Sequence, residues 1–198
     1  MENKAPRPNS GVAHAVAAYT TWGLLPVYWK LLASVDAPQI LACRIIFSLI
    51  FVWVLLALRR KPAWPKLLKD KRTLGAVSLS ATLITVNWGV YIWAVNAGHT
   101  VEAALGYYMT PLVNVLLGLL FFRERLPRLQ WAAFAAAALG VGLLTALSGK
   151  VPWISLILAF SFGFYGLAKK KAGLAALEAL GAETLILALP ALSLLLFR

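Results

Sequence analysis

Apolar residues run along this chain in long blocks, with short polar joints between them. The blocks cover 11–32, 38–58, 74–97, 101–122, 129–147 and 153–168. Each is close to the roughly 20 residues that a helix needs to cross a bilayer. None alternates with the two-residue period of a half-buried strand. A seventh block begins near Thr184 and stops at Phe197 and Arg198, with Pro190 inside it. It is too short to span by itself, so the chain is expected to end partway through a helix. The predicted fold is an all-α membrane protein, a polytopic bundle of about seven transmembrane segments. Short joints make sequential helices antiparallel and, by expectation, neighbours.

The joints differ in charge. The N-terminus carries Lys4 and Arg7, the joint 59–72 (RRKPAWPKLLKDKR) seven basic residues, 123–128 (RERLPR) three and 169–171 (KKK) three more. The alternate joints 33–38, 97–100 and 148–151 hold Lys150 as their single basic residue. Fifteen basic residues on one side against one on the other place the N-terminus in the cytoplasm by the positive-inside rule.

Composition removes the soluble alternatives. The chain is 61% hydrophobic, with a mean hydropathy of +0.79 and eight tryptophans. The net charge of +12 would point to nucleic acid in a soluble protein. Here it sits in the joints, where it sets topology and meets anionic headgroups, so a lipid bilayer is expected as partner and nucleic acid is not. The run 11–32 is longer than the apolar part of a signal peptide and contains Trp22, Pro26, Tyr28 and Trp29, so it reads as a retained helix. Cys43 lies inside an apolar run and reads as a packing residue.

Against this background the polar residues inside the blocks stand out, because ionisable groups within a span are costly. Arg44 lies well inside the second helix and keeps its charge. It is either a pin between helices or a binding group for an anionic or polar solute. Lys30, at the outer end of the first helix, reads as a snorkelling anchor. Asn87 and Tyr91 share one face of the third helix, and Tyr107, Thr110 and Asn114 share one face of the fourth. Pro111 removes the backbone bond to the carbonyl of Tyr107 and allows a kink. The two stripes are either interhelical hydrogen-bond contacts or the walls of a solvated cavity. At the outer turn, His99 and Glu102 are either a helix cap or a proton-linked pair. Glu124, between Arg123 and Arg125, reads as an interfacial anchor. Ala132, Ala136 and Gly140 recur at four-residue spacing, which fits close helix packing in the bundle or a homodimer face.

Two further features bear on function. Residues 158–172 (LAFSFGFYGLAKKKA) echo 17–33 (AAYTTWGLLPVYWKLLA), with five helices between them and hence inverted orientation, as in the repeats of secondary transporters. No H-E-x-x-H, G-x-S-x-G, Walker loop or CxxC pair is present, and His14 and His99 lie at opposite ends of their helices. No enzyme activity, cofactor or metal site is therefore expected.

The segment 87–141 (NWGVYIWAVNAGHTVEAALGYYMTPLVNVLLGLLFFRERLPRLQWAAFAAAALGV), together with WGLLPVYWKLL (22–32), ILACRIIFS (40–48) and AFSFGFYGLAKKKA (159–172), resembles RarD-type permeases. These form part of the EamA branch of the drug/metabolite transporter superfamily. The resemblance covers essentially the whole chain and implies a ten-helix bacterial inner-membrane protein of two inverted five-helix repeats. On that pattern residues 1–10 are a cytoplasmic N-terminus, 11–147 the first repeat, and 153–198 helix six with part of helix seven. It implies that Trp22, Tyr28, Arg44, Asn87, Tyr91, Tyr107 and Asn114, with Thr110 on the same stripe, line a pathway for a small drug- or metabolite-like solute. The alternative is a non-transporting membrane subunit, or an inactive truncated fragment, that packs against another membrane protein.

Overall fold

The computed structural model describes residues 8–59, 70–123 and 125–197. Residues 1–7, most of the basic joint (60–69), Glu124 and Arg198 lie outside them. Among the described residues seven helices follow in order: α1 (Pro8–Leu31), α2 (Ala37–Leu58), α3 (Lys71–Asn96), α4 (Thr100–Phe122), α5 (Arg128–Ser148), α6 (Trp153–Ala172) and α7 (Ala176–Leu196). Five of them (α2, α3, α4, α5 and α7) are long and apolar enough to cross a membrane. Large apolar side chains such as Phe51, Val101, Leu120 and Leu189 point outward, the arrangement expected when the solvent is lipid. The chain is a multi-pass helical membrane protein.

Local chemistry explains the helix ends. Asp70 caps α3, accepting from the backbone N–H groups of Arg72 (2.9 Å) and Thr73 (3.2 Å), which satisfies two of the donors left open at a helix start. α4, α5 and α6 close on residues in the left-handed region, Arg123, Gly149 and Gly173. Gly98, at φ 90°, makes the tight turn between α3 and α4.

Two expectations need correction. The last helix begins at Ala176, not near Thr184, and its 21 residues are long and apolar enough to cross a membrane. Glu178 and Glu183 interrupt the apolar run in sequence, but the Glu183 side chain is folded into the protein, 1% exposed. Nor are sequential helices each other's main partners. α3 and α4 touch only lightly, because α6 lies against both, and α7 lies chiefly along α2.

The reason is the closeness with which α6 seats. A Cβ on Gly106 of α4 would come within 2.9 Å of the Leu158 Cβ and 3.1 Å of the Ser155 backbone. A Cβ on Gly163 of α6 would lie 2.7 Å from Val113 and 3.0 Å from Leu117, both on α4. The Ser155 hydroxyl donates to the Glu102 carbonyl at 2.6 Å at one end of this pair, and Lys170 sits over the Phe122 ring at the other. α4 and α6 therefore run parallel with their backbones nearly in contact, the geometry that small residues permit in lipid.

Gly106→Ala should lower the melting temperature of the purified protein in detergent. The overpacking against α6 backbone, about 1–3 kcal/mol, exceeds the roughly 1 kcal/mol that alanine gains over glycine in a helix. Gly142→Ala, whose added methyl meets nothing within 4 Å, should leave it unchanged or raise it. Equal melting of Gly106→Ala and the wild type would rule out this close seating.

Candidate functional site

An aromatic region joins α1, α3, α4 and α6. The Tyr91 and Tyr107 rings meet edge to face at 5.3 Å. Trp22 of α1 lies 6.4 Å from Tyr107, and Phe162 of α6 closes the other side at 6.3 Å. Such offset and edge-on pairs are the favourable arrangements for aromatic rings.

Arg44 of α2 points into this region. Its guanidinium lies 3.8 Å from the centroid of the Trp88 ring and 5.5 Å from that of Trp29, so tryptophan faces take the place of a counter-ion. Among the described residues it forms no salt bridge, and none of its N–H groups finds an acceptor. Trp29 packs in the same cluster as Tyr91 and Tyr107. Trp29, 4% exposed, has an indole N–H with no partner. Donors are thus gathered here without acceptors. A guanidinium with open hydrogen-bonding edges and stacked faces is suited to a carboxylate or another oxygen-rich group.

The other sequence-derived candidates fall elsewhere. Asn87 is fully buried, and its amide donates to the Leu158 carbonyl at 2.9 Å and the Ser161 hydroxyl at 3.0 Å. Its amide thus ties α3 to α6, while its Oδ1 has no partner. Thr110 is buried and bonds back to the Gly106 carbonyl of its own helix at 3.1 Å. Asn114 is exposed on α4 and lines a cleft of about 160 Å³ with Gly118, Phe122, Gly163, Gly166 and Lys170. Tyr28 is 53% exposed and meets the Trp29 ring edge-on at 4.8 Å. His99 Nδ1 and Glu102 Oε1 pair at 3.0 Å on the partly exposed turn, with Trp93 stacked against His99. Arg44, Tyr91, Tyr107 and Trp22 come together; Asn114 and the His99–Glu102 pair are separate from them.

Trp29 and Trp88 were not legible as site residues, because an aromatic residue inside an apolar block carries no signal of its own. Trp88 follows Asn87 directly, and α2 places Arg44 beside it. A second polar cluster, around Glu183, also escaped the pattern of blocks and joints.

Comparison with known proteins places these features in context. Residues 9–146 match the model of the EamA-like transporter family. The chain is 48% identical over 189 residues to Protein RarD of Streptomyces exfoliatus, covering 95% of this chain and 60% of that protein. It is 47% identical over 191 residues to the uncharacterized transporter YojE of Bacillus subtilis, covering 94% and 64%. It is 35% identical over 182 residues to the chloramphenicol-sensitive protein RarD of Pseudomonas aeruginosa, covering 89% and 61%. The chain spans about three fifths of the length of these relatives. No solved structure matches it at a significant level.

Asn87→Ala should destabilise the protein by about 1–2 kcal/mol, since each interhelical hydrogen bond in lipid contributes roughly 0.6 kcal/mol and at most about 1.7. Equilibrium unfolding in bilayers measures this. An unchanged stability would show that the amide does not tie α3 to α6.

Proposed function

The chain belongs to the EamA-like transporter family, and on that premise we propose that it serves as a secondary permease for a small drug- or metabolite-like solute. The observation that carries this reading is Arg44, a charge inside an apolar helix, stacked on aromatic rings and offering its N–H groups to no described residue. In a span, such a charge marks a functional site unless a partner neutralises it. A solute with a carboxylate or comparable acceptor would meet Arg44 and the Trp29 indole N–H, and Trp22, Tyr91 and Tyr107 would hold its apolar body. Uniform residence at one side moves nothing, so the site would open alternately to each face of the membrane.

The membrane we assign is the bacterial inner membrane, with the N-terminus in the cytoplasm. The support is the gathering of basic residues at one end of the bundle: Arg59, Lys71, Arg72, Arg123, Arg125, Arg128 and Lys169–Lys171 all lie at helix ends that the alternation of α2 to α6 brings to the same side. A second reading, a membrane subunit or homodimer that packs through α5, is favoured by one observation. None of the span of α5 is buried, and Ala132, Ala136 and Gly140 lie on its open surface.

In a screen of small organic acids, bases and neutral solutes, acids should raise the melting temperature of the purified protein, because a ligand that binds the folded state stabilises it. Arg44→Ala should weaken that binding between about 10- and 100-fold, the effect of one hydrogen bond to a charged group, with membrane insertion unaltered. The acid that binds should cross liposome membranes carrying the protein in counterflow. Wild-type binding and flux in Arg44→Ala would sink the site assignment, and binding without flux would favour the subunit reading.

Cysteine labelling in intact cells tests the orientation. A cysteine at Lys150 should react with an impermeant maleimide, and one at Lys170 only after the membrane is broken. The reverse pattern would overturn the topology.

A further inference from the structure

Away from Arg44, three helices enclose one carboxylate. Glu183 lies on the second turn of α7, about 10 Å along the helix from Ala176 at 1.5 Å per residue, and is 1% exposed. Its Oε1 accepts from the Ser80 hydroxyl of α3 at 2.8 Å. Its Oε2 accepts from the Tyr165 hydroxyl of α6 at 3.3 Å and lies 3.7 Å from Lys169 Nζ. Lys169 also donates to the Tyr165 oxygen at 2.8 Å. α2 packs on the same turn through Val52, Trp53 and Leu56, none of which is ionisable. Lys169 is thus the charged side chain that pairs with Glu183 among the described residues.

The hydrogen-bond count is the informative part. Ser80 has a single hydroxyl proton, yet two acceptors lie within reach: Glu183 Oε1 at 2.8 Å and the Val77 carbonyl at 2.9 Å. When Glu183 is a carboxylate, the two acceptors must share that proton. When Glu183 carries a proton on Oε1, the carboxyl donates to the Ser80 oxygen and Ser80 donates to Val77. Oε2 still accepts from Tyr165, and Tyr165 still accepts from Lys169. Every partner is then satisfied. The same heavy atoms therefore hold two arrangements that differ by one proton.

We propose that Glu183, with Ser80, Tyr165 and Lys169, is a reversible proton-binding site of this membrane protein. The step is a carboxylate taking one proton from water to give a carboxylic acid, with no bond to carbon made or broken. The cluster opens at the Lys169 end, where that side chain is 24% exposed, and this is the side from which a proton would enter. Protonation removes the negative charge that Lys169 faces, so the attraction holding the end of α6 to α7 falls as the proton arrives. α6 is also the helix that carries Phe162 and anchors Asn87, which links the proton site to the aromatic region without any shared residue.

Infrared titration of the full chain in liposomes tests this directly. The wild type should show the carbonyl band of a buried carboxylic acid that grows and fades reversibly with pH, and Glu183→Gln should lose it completely. Ser80→Ala should keep the band at a shifted frequency, because the acid loses the oxygen to which it donates. The Ser80 variant decides the matter even where the Gln variant does not fold. The absence of a titrating band in the wild type, its survival in folded Glu183→Gln, or an unshifted band in Ser80→Ala would each overturn the proposal.

Discussion

The rest of the structure depends on the seating of α6 between α3 and α4. In lipid, burying an apolar side chain between helices yields little, because the acyl chains it leaves are as apolar as the partner it meets. What remains is close van der Waals contact and the satisfaction of polar groups. α6 obtains the first at Gly106 and Gly163, where a methyl group would not fit without movement. It obtains the second from Asn87, whose amide reaches the Leu158 carbonyl and the Ser161 hydroxyl, and from Ser155, which reaches the Glu102 carbonyl. Removing any one of these weakens the same contact, and no hydrophobic drive substitutes for it.

That seating determines which polar residues are available for chemistry. With α6 present, the Asn87 amide is committed to it and Thr110 turns back on its own helix. The open donors are instead those of Arg44 and the Trp29 indole N–H, on the side of α3 toward α1 and α2. Between the two readings of the stripes, the Asn87 amide acts as interhelical contact, and the aromatic end, Tyr91 and Tyr107, is what borders Arg44.

Helix existence was legible because a bilayer demands an unbroken apolar block, and a block of that length has one structural meaning. α1 to α6 accordingly start and stop within a few residues of their blocks, except that α6 carries on through its lysines to Ala172. The start of α7 was not legible: Glu178 and Glu183 look like the end of a loop until Ser80, Tyr165 and Lys169 are known to receive one of them. Pairing was not legible either. Glycines at 106 and 163 carry no pairing signal of their own, and only the folded backbone shows that Gly106 faces Ser155 and Leu158 of α6 while Gly163 faces Val113 and Leu117 of α4. Arg44 announced itself because a charge in an apolar helix has few explanations, whereas its partners Trp29 and Trp88 are ordinary residues for a membrane helix.

Two polar centres, one built on α2 with α1, α3, α4 and α6 and one on α7 with α3 and α6, therefore share helices but no side chains. Arg44 and Glu183 are of opposite sign, and both are held within apolar surroundings where a change in charge has its largest effect. α3 connects them directly, since Ser80 and Trp88 are eight residues apart on it, about 12 Å along the helix. Any event that alters the charge at Glu183 acts on α6 through Lys169 and on α3 through Ser80. A shift of α6 moves Phe162 against Tyr107, and a shift of α3 moves Trp88 against Arg44. The physical route between the two centres is thus α3 together with the turn of α6 on which the Phe162 and Tyr165 rings meet at 5.7 Å, rather than a chain of hydrogen bonds. Such a route transmits displacement and not protons.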